Sequence, residues 1–227
     1  MLKEIFDLFR RESQLNQAFD RSREMLVEDR EMLEEAISSL RERDDARLGI
    51  DIYAKDQLIN AYEREVRRKV FTHLTVAGGK DLNAALVLVS VVIDIERIGD
   101  FTKNIVELAL HHPNRLDCGP YETNTRRVET TVKTMFGLLL ECLPDNDEAK
   151  AREVMSEHWW ISRKCDEIIV ELIEKGESGL PTRDAVTTAL YLRYLKRVSA
   201  HLMNIASSVV NPFDRIGFRG NISNGGE

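Results

Sequence analysis

Two carboxylates close an apolar stretch of the sequence at a spacing that could hold a cation. Glu96 and Asp100 follow the uncharged run from Leu82 to Ile93. An α-helix places side chains four positions apart on one face, one turn from each other. Like charges at this spacing destabilise an isolated helix by roughly a few tenths of a kcal/mol. A bound cation would offset that repulsion, so the pair is a candidate metal site.

A second interpretation of the same pair needs no metal. Arg97, Lys103 and Arg67 could form salt bridges with the two carboxylates, and runs of charge on a helix commonly form a solvated face. Spacing alone leaves both interpretations open.

Apolar residues recur at helical spacing along most of the chain, which predicts an all-α protein. The predicted helices span residues 2–41, 46–76, 82–111, 124–143, 148–175 and 184–210. Several of the predicted helices end at glycine or proline, as at Gly78-Gly79 and Pro113. Asp81 is the predicted N-cap of the third helix. The first half of that helix is apolar on all sides, so it should be central in its bundle.

The order of two long helices and one apolar helix recurs after about 100 residues, which indicates an internal repeat. When the two halves of the sequence are aligned with Glu96 opposite Lys196, Asn104-Ile105 aligns with Asn204-Ile205. We therefore predict a tandem repeat of two three-helix bundles packed side by side. The predicted domains are a first bundle at 1–112, a linker at 113–123, a second bundle at 124–212 and a flexible tail at 213–227.

Composition and missing motifs exclude several classes of function. The net charge of −7 argues against nucleic-acid binding, which needs a basic face. The three cysteines form no CxxC pair, so we expect neither a zinc ribbon nor a disulfide framework, and a reducing cytoplasm fits best. HExxH, GxxxxGK[ST] and GxSxG are all absent, and we expect no enzymatic activity.

Several short motifs together resemble the PhoU family, whose hallmark is a duplicated three-helix bundle. The most specific is Glu96-Arg-Ile-Gly-Asp100 followed by Asn104-Ile105. The Asp81-Leu82 helix start and the segment Asp56-Gln-Leu-Ile-Asn60 also resemble the family. The resemblance covers roughly residues 10–210.

The resemblance implies a metal site on the surface of the first bundle. Carried over position by position, it assigns Asp56 and Asn60 of the second helix and Glu96 and Asp100 of the third helix as ligands. All four are oxygen donors, which suit Mg, Mn or Fe better than a thiolate-preferring metal. The implied cofactor is a divalent or trivalent ion, with Fe, Mn, Mg and Zn as candidates. Asn60 is the weakest proposed ligand, because an amide binds metal less strongly than a carboxylate.

The second half departs from the family pattern at the corresponding positions. Lys196 stands in place of Glu96, Ala200 in place of Asp100, and the segment ending at Asp166 in place of the other acidic pair. We expect no comparable metal site there. The Lys196 ammonium could itself occupy the cation position, paired with Asp166.

The family resemblance further implies a cytoplasmic regulatory adaptor in phosphate homeostasis. Its implied partners are the ATPase of a phosphate importer, or another membrane phosphate transporter, and a sensor histidine kinase. The divergent second half leaves open an accessory of a low-affinity or sodium-coupled phosphate transporter.

Two further expectations concern other classes of function and assembly. A di-metal carboxylate enzyme is an alternative from another class, but it typically needs inward-facing Glu-x-x-His motifs, which the sequence lacks. An apolar strip at the N-terminus is expected to pack on a bundle or on a second copy in a homodimer, with a membrane surface as the alternative. The strip comprises Leu2, Ile5, Phe6 and Phe9.

Overall fold

The computed structural model describes residues 13–77, 79, 81–175 and 179–218. Within these residues the chain forms six long α-helices and no strands. The helices are α1 (Gln14–Arg41), α2 (Ile52–Ala77), α3 (Leu82–His111), α4 (Glu122–Asp145), α5 (Glu148–Glu174) and α6 (Thr182–Val210). Short 3₁₀ turns at Gly119–Tyr121 and Phe213–Arg215 precede α4 and follow α6. The prediction of an all-α protein with six long helices is confirmed.

The helices form two three-helix bundles that share one long interface. Helices α1, α2 and α3 pack on one another, α4, α5 and α6 do the same, and α3 lies along α6 where the bundles meet. Helix α3 therefore contacts three other helices, as its uniformly apolar first half predicts. Leu88, Val92 and Ile95 of that half are buried.

Helix α2 begins later than residue 46, the predicted start. The carboxylate of Glu35 in α1 accepts the backbone N–H of Gly49, which holds the preceding segment as a loop against α1. The side chain of Asp51 then accepts the backbone N–H of Ala54 at 2.9 Å. This is the usual contact of an N-cap residue, so the helix starts at Ile52.

Asp81 stands at the N-cap position of α3 but makes no capping hydrogen bond with its side chain. Instead its Oδ2 lies 2.9 Å from Nε2 of His73 near the end of α2. The predicted N-cap position is therefore confirmed, but the side-chain hydrogen bond typical of an N-cap does not form. The carboxylate ties the two ends of the α2–α3 turn together instead.

Both ends of the chain extend beyond the described residues. Residues 1–12, which carry the apolar N-terminal strip, lie outside them, and α1 begins after Ser13, whose side chain accepts the backbone N–H of Asn16. After α6 the chain turns back on that helix, where the Gly217 N–H donates to Ser207 Oγ at 2.7 Å. Residues 219–227 of the predicted flexible tail lie outside the described part. Among the described helices none is both long and apolar enough to cross a membrane.

Candidate metal site between α2 and α3

One lysine side chain forms salt bridges with a carboxylate of α2 and a carboxylate of α3. Lys103 Nζ lies 2.8 Å from Asp56 Oδ1 on α2 and 3.1 Å from Asp100 Oδ1 on α3. Asn60 donates through Nδ2 to Asp56 Oδ2 at 3.3 Å, so it orients that carboxylate. Glu96 lies one turn before Asp100 on α3. The predicted ligands therefore share one surface, with an ammonium group bridging two of them.

Part of the salt-bridge alternative is also realised. Arg97 lies 3.3 Å from Asp100 and 3.7 Å from Glu96, whereas Arg67 pairs with Glu63 on its own helix. In the described part of the chain, no three Asp, Glu, His or Cys side chains converge as a ready metal-binding group. The surface is not a fully solvated face, however, because the Glu96 side chain is only 20% exposed.

Partial burial and like charge make this surface favourable for a cation. Burial, followed by the neighbouring charge of Asp100, raises the pKa of Glu96 above its ordinary value. Burial alone would lower the pKa of Lys103, but its hydrogen bonds to Asp56 and Asp100 outweigh that effect and raise it. The surroundings therefore favour a positive charge at this position.

A fourth acidic residue, which the sequence motifs did not reveal, lies beneath the surface. Asp29 of α1 is 0% exposed, and neither of its carboxylate oxygens has a hydrogen-bond partner among the described residues. Burial, and then the charges of Asp56 and Glu96, raise its pKa well above the ordinary value. A Cβ atom on Gly99 of α3 would lie 3.1 Å from Asp29 Oδ1, so this carboxylate packs directly against the helix that carries the predicted ligands.

A sequence signal for Asp29 existed in the periodicity of α1. Asp29 lies three residues after Leu26 and four before Leu33, both of them fully buried. Helical spacing therefore places it on the apolar face of α1. Its charged neighbours in sequence made it look like one more residue of the solvated face.

The corresponding place in the second half holds a lysine–carboxylate pair, as predicted. Lys196 Nζ lies 2.7 and 2.6 Å from the two carboxylate oxygens of Asp166. The adjacent Cys165 is buried, and burial raises its pKa to about 12. Its thiol is therefore protonated near neutral pH and is a poor nucleophile.

Asp94, in the same acidic stretch as Glu96, faces the other bundle instead of the candidate site. Its Oδ1 lies 2.7 Å from His201 Nδ1 and accepts a hydrogen bond from Asn204 Nδ2 at 2.9 Å. These contacts join α3 to α6. The acidic stretch thus serves two surfaces, one at the candidate site and one between the bundles.

Comparison with known proteins agrees with this architecture. The sequence model of the PhoU domain matches the chain twice, over residues 22–109 and 125–209. A phosphate-specific transport system accessory protein PhoU homolog from Caulobacter vibrioides is 27% identical over 173 residues, which are 74% of each chain. The PhoU homolog 1 of Thermotoga maritima, described as the same kind of accessory protein, is 27% identical over 192 residues, covering 79% of this chain and 78% of that protein.

Solved structures of PhoU proteins share the fold. The crystal structure of PhoU from Pseudomonas aeruginosa has a TM-score of 0.74 at 20% identity and covers 88% of this chain and 97% of its own. The phosphate transport system regulatory protein PhoU from Streptococcus pneumoniae has a TM-score of 0.73 at 21% identity and covers 90% of this chain and 95% of its own. With two PhoU domains that together span both helical bundles, this chain belongs to the PhoU family.

Proposed function

We propose that the chain is a regulatory accessory protein of phosphate uptake, which acts in the cytoplasm through contacts with other proteins and has no catalytic activity. The observation that carries the proposal is the pair of PhoU domains covering both bundles. Relatives from two organisms, which match about three quarters of the chain, are described as accessory proteins of a phosphate-specific transport system.

The proposed partners are the ATPase of a phosphate importer and a sensor histidine kinase. A second candidate partner is a low-affinity or sodium-coupled phosphate transporter. One observation supports it: the second bundle carries the Lys196–Asp166 pair at the place where the first bundle has its acidic motif. Capture of host membrane proteins on the tagged chain, with each named partner quantified by mass spectrometry, distinguishes these partners. Recovery of none of them would contradict the proposal.

We also propose that the first bundle binds a metal ion through Asp56, Glu96 and Asp100, with Asn60 as a weaker oxygen donor. The donor set suits Fe, Mn or Mg, and Zn is a further candidate. The buried carboxyl group of Asp29 beside this surface supports the fit, because burial disfavours its ionised form and a nearby cation would favour that form. A bound ion would tie α2 to α3.

The double substitution Glu96→Gln with Asp100→Asn tests the metal site. It removes two of the carboxylates and should lower the metal content of freshly purified protein at least about tenfold, measured by elemental analysis. The matched control is Asp166→Asn in the second bundle, which should leave the metal content unchanged. An equal metal content in the double variant and the native protein would exclude this assignment.

A further inference from the structure

We propose that Asp29 of α1 is an additional metal ligand, and that Lys103 is the protein's own cation, which a metal ion displaces. This inference rests on the proposed metal site. It adds a ligand from a third helix, α1, and a lysine that competes with the metal ion for the same carboxylates. It concerns residues of this chain that neither the spacing of the acidic motifs nor the comparisons assign.

The first step is the cost of burying Asp29 without a partner. An ionised carboxylate in a protein interior is strongly destabilising unless it is paired or coordinates a metal. The other deeply buried carboxylate, Glu129, shows the usual solution: it accepts from Arg41 at 2.8 Å and from Tyr191 at 2.9 Å. Asp29 has no such donor among the described residues. Burial therefore disfavours the ionised form of Asp29, and a cation at the adjacent acidic surface would favour that form.

The second step is the direct contact of Asp29 with the helix that carries Glu96 and Asp100. Any residue larger than glycine at position 99 would bring its Cβ to 3.1 Å from Asp29 Oδ1, which is closer than ordinary van der Waals contact. Glycine is an unfavourable residue in the middle of a helix. At Gly99 it leaves the space through which the Asp29 carboxylate reaches α3. Asp29 is also close enough for Asp56, Glu96 and Asp100 to raise its pKa.

The third step is the position of the Lys103 ammonium. It lies within 2.8 and 3.1 Å of one carboxylate on α2 and one on α3, and thus bridges the two helices as a metal ion would. In the described part of the chain the acids do not converge as a metal-binding group, and this ammonium lies between two of them. Lys103 therefore holds the metal-free surface together and competes with a metal for the same oxygens.

The fourth step is the space into which Lys103 can move. A surface pocket of about 420 Å³ adjoins the site and is lined by Asp100, Lys103 and Glu107, among others. Glu107 is exposed, lies one turn beyond Lys103 on α3 and has no ion-pair partner in the described part of the chain. Residues four apart on a helix can pair. The displaced ammonium would therefore find a carboxylate in the adjoining pocket.

The experiment compares metal affinity in two variants with opposite expected effects. Titration calorimetry on the full chain uses Mn²⁺, Mg²⁺, Zn²⁺ and, under nitrogen, Fe²⁺ in turn. Asp29→Asn keeps the shape of the side chain and removes its charge, and should weaken binding of the preferred ion at least about tenfold. Lys103→Met keeps the aliphatic stem and removes the competing charge, and should tighten binding about threefold to tenfold.

Matched controls separate these effects from general changes of charge. Asp20→Asn removes an exposed carboxylate from the same helix as Asp29. Lys150→Met removes an ammonium that lies between Glu141 and Asp147 in the second bundle, away from the site. Both controls should bind metal within about twofold of the native protein. Circular dichroism of each metal-free variant confirms that the helices are retained.

The outcomes separate this inference from the proposed metal site. Unchanged metal affinity in Asp29→Asn, or no tightening of metal binding in Lys103→Met, would overturn the inference. If Glu96→Gln with Asp100→Asn nevertheless abolishes metal binding, the proposed metal site is retained and only the roles of Asp29 and Lys103 are rejected. If neither the native protein nor Lys103→Met binds any of the four ions, the site and the inference both fall. Loss in Asp29→Asn together with gain in Lys103→Met supports both.

Discussion

Some buried ionisable side chains in this protein are paired with an opposite charge, and others have their pKa shifted by burial. Glu129 is paired with Arg41, which satisfies its charge inside the protein. Asp29 has no such pairing among the described residues, and burial raises its pKa. His158 is buried against Ser199, with 2.9 Å between Nδ1 and Oγ. Burial, and then the charge of Lys196, lower its pKa to about 4. Each shift follows from whether the surroundings favour the charged or the neutral form.

His158 should make the protein sensitive to mild acid. Its pKa is about 4 in the folded protein and about 6.5 in the unfolded chain, so above pH 6.5 it is neutral in both states and does not reduce stability. As the pH falls from 6.5 towards 4, the unfolded chain binds a proton that the folded protein excludes. Between pH 7.5 and 4.5 the native protein should lose roughly 2–3 kcal/mol of unfolding free energy through this residue.

Urea unfolding of His158→Gln at the two pH values checks this expectation. The variant should show a smaller loss between pH 7.5 and 4.5 than the native protein. The control His111→Gln, at an exposed position near the end of α3, should behave like the native protein. An identical pH dependence in His158→Gln and the native protein would contradict the assignment.

At the scale of helices, the sequence predicts what depends on local pattern and misses what depends on contacts between helices. Apolar periodicity identified all six helices, and the spacing of Glu96 and Asp100 identified their common surface. The start of α2 was predicted too early because the hydrogen bond from Gly49 to Glu35 joins residues distant in sequence. The spacing of Asp29 from Leu26 and Leu33 placed it on the apolar face of α1, but its contact with α3 could not be predicted from local pattern. Its burial depends on how closely α1 approaches α3 at Gly99.

The end of α1 is fastened to the second bundle through a single arginine. Arg41 is the last residue of α1, and its side chain is 1% exposed. It donates to Glu129 at 2.8 Å, to Glu122 at 2.7 Å and to the backbone carbonyl of Leu116. These contacts connect α1, the inter-bundle linker and α4. The arginine therefore fixes the orientation of one bundle against the other.

Arg41→Met should destabilise the protein by about 3–5 kcal/mol, because it leaves the buried Glu129 carboxylate without its charged partner. Urea unfolding measures the loss. Arg30→Met is the matched control, since it removes an exposed pair with Glu34 and should change stability by about 0.5 kcal/mol or less. Adding Glu129→Gln to Arg41→Met should recover part of the loss. A loss in Arg41→Met no larger than in Arg30→Met would contradict the proposed role.

At the scale of the whole molecule, two bundles of the same architecture carry different surfaces. The first bundle has an acidic surface above a buried carboxylate, and the second has the Lys196–Asp166 pair at the corresponding place. The contacts of Asp94 with His201 and Asn204 join the bundles along α3 and α6. The proposed ion binding therefore concerns the first bundle, and the second bundle is proposed as scaffold or partner surface.

We propose that this PhoU-family chain couples phosphate uptake to phosphate supply. The most direct test is the rate of radiolabelled phosphate uptake in its host, with and without the gene, after transfer from scarce to plentiful phosphate. Uptake should fall after the transfer in the native strain, fail to fall in the deletion strain, and fall again when the gene is restored. An equal fall in the native and deletion strains would exclude this function.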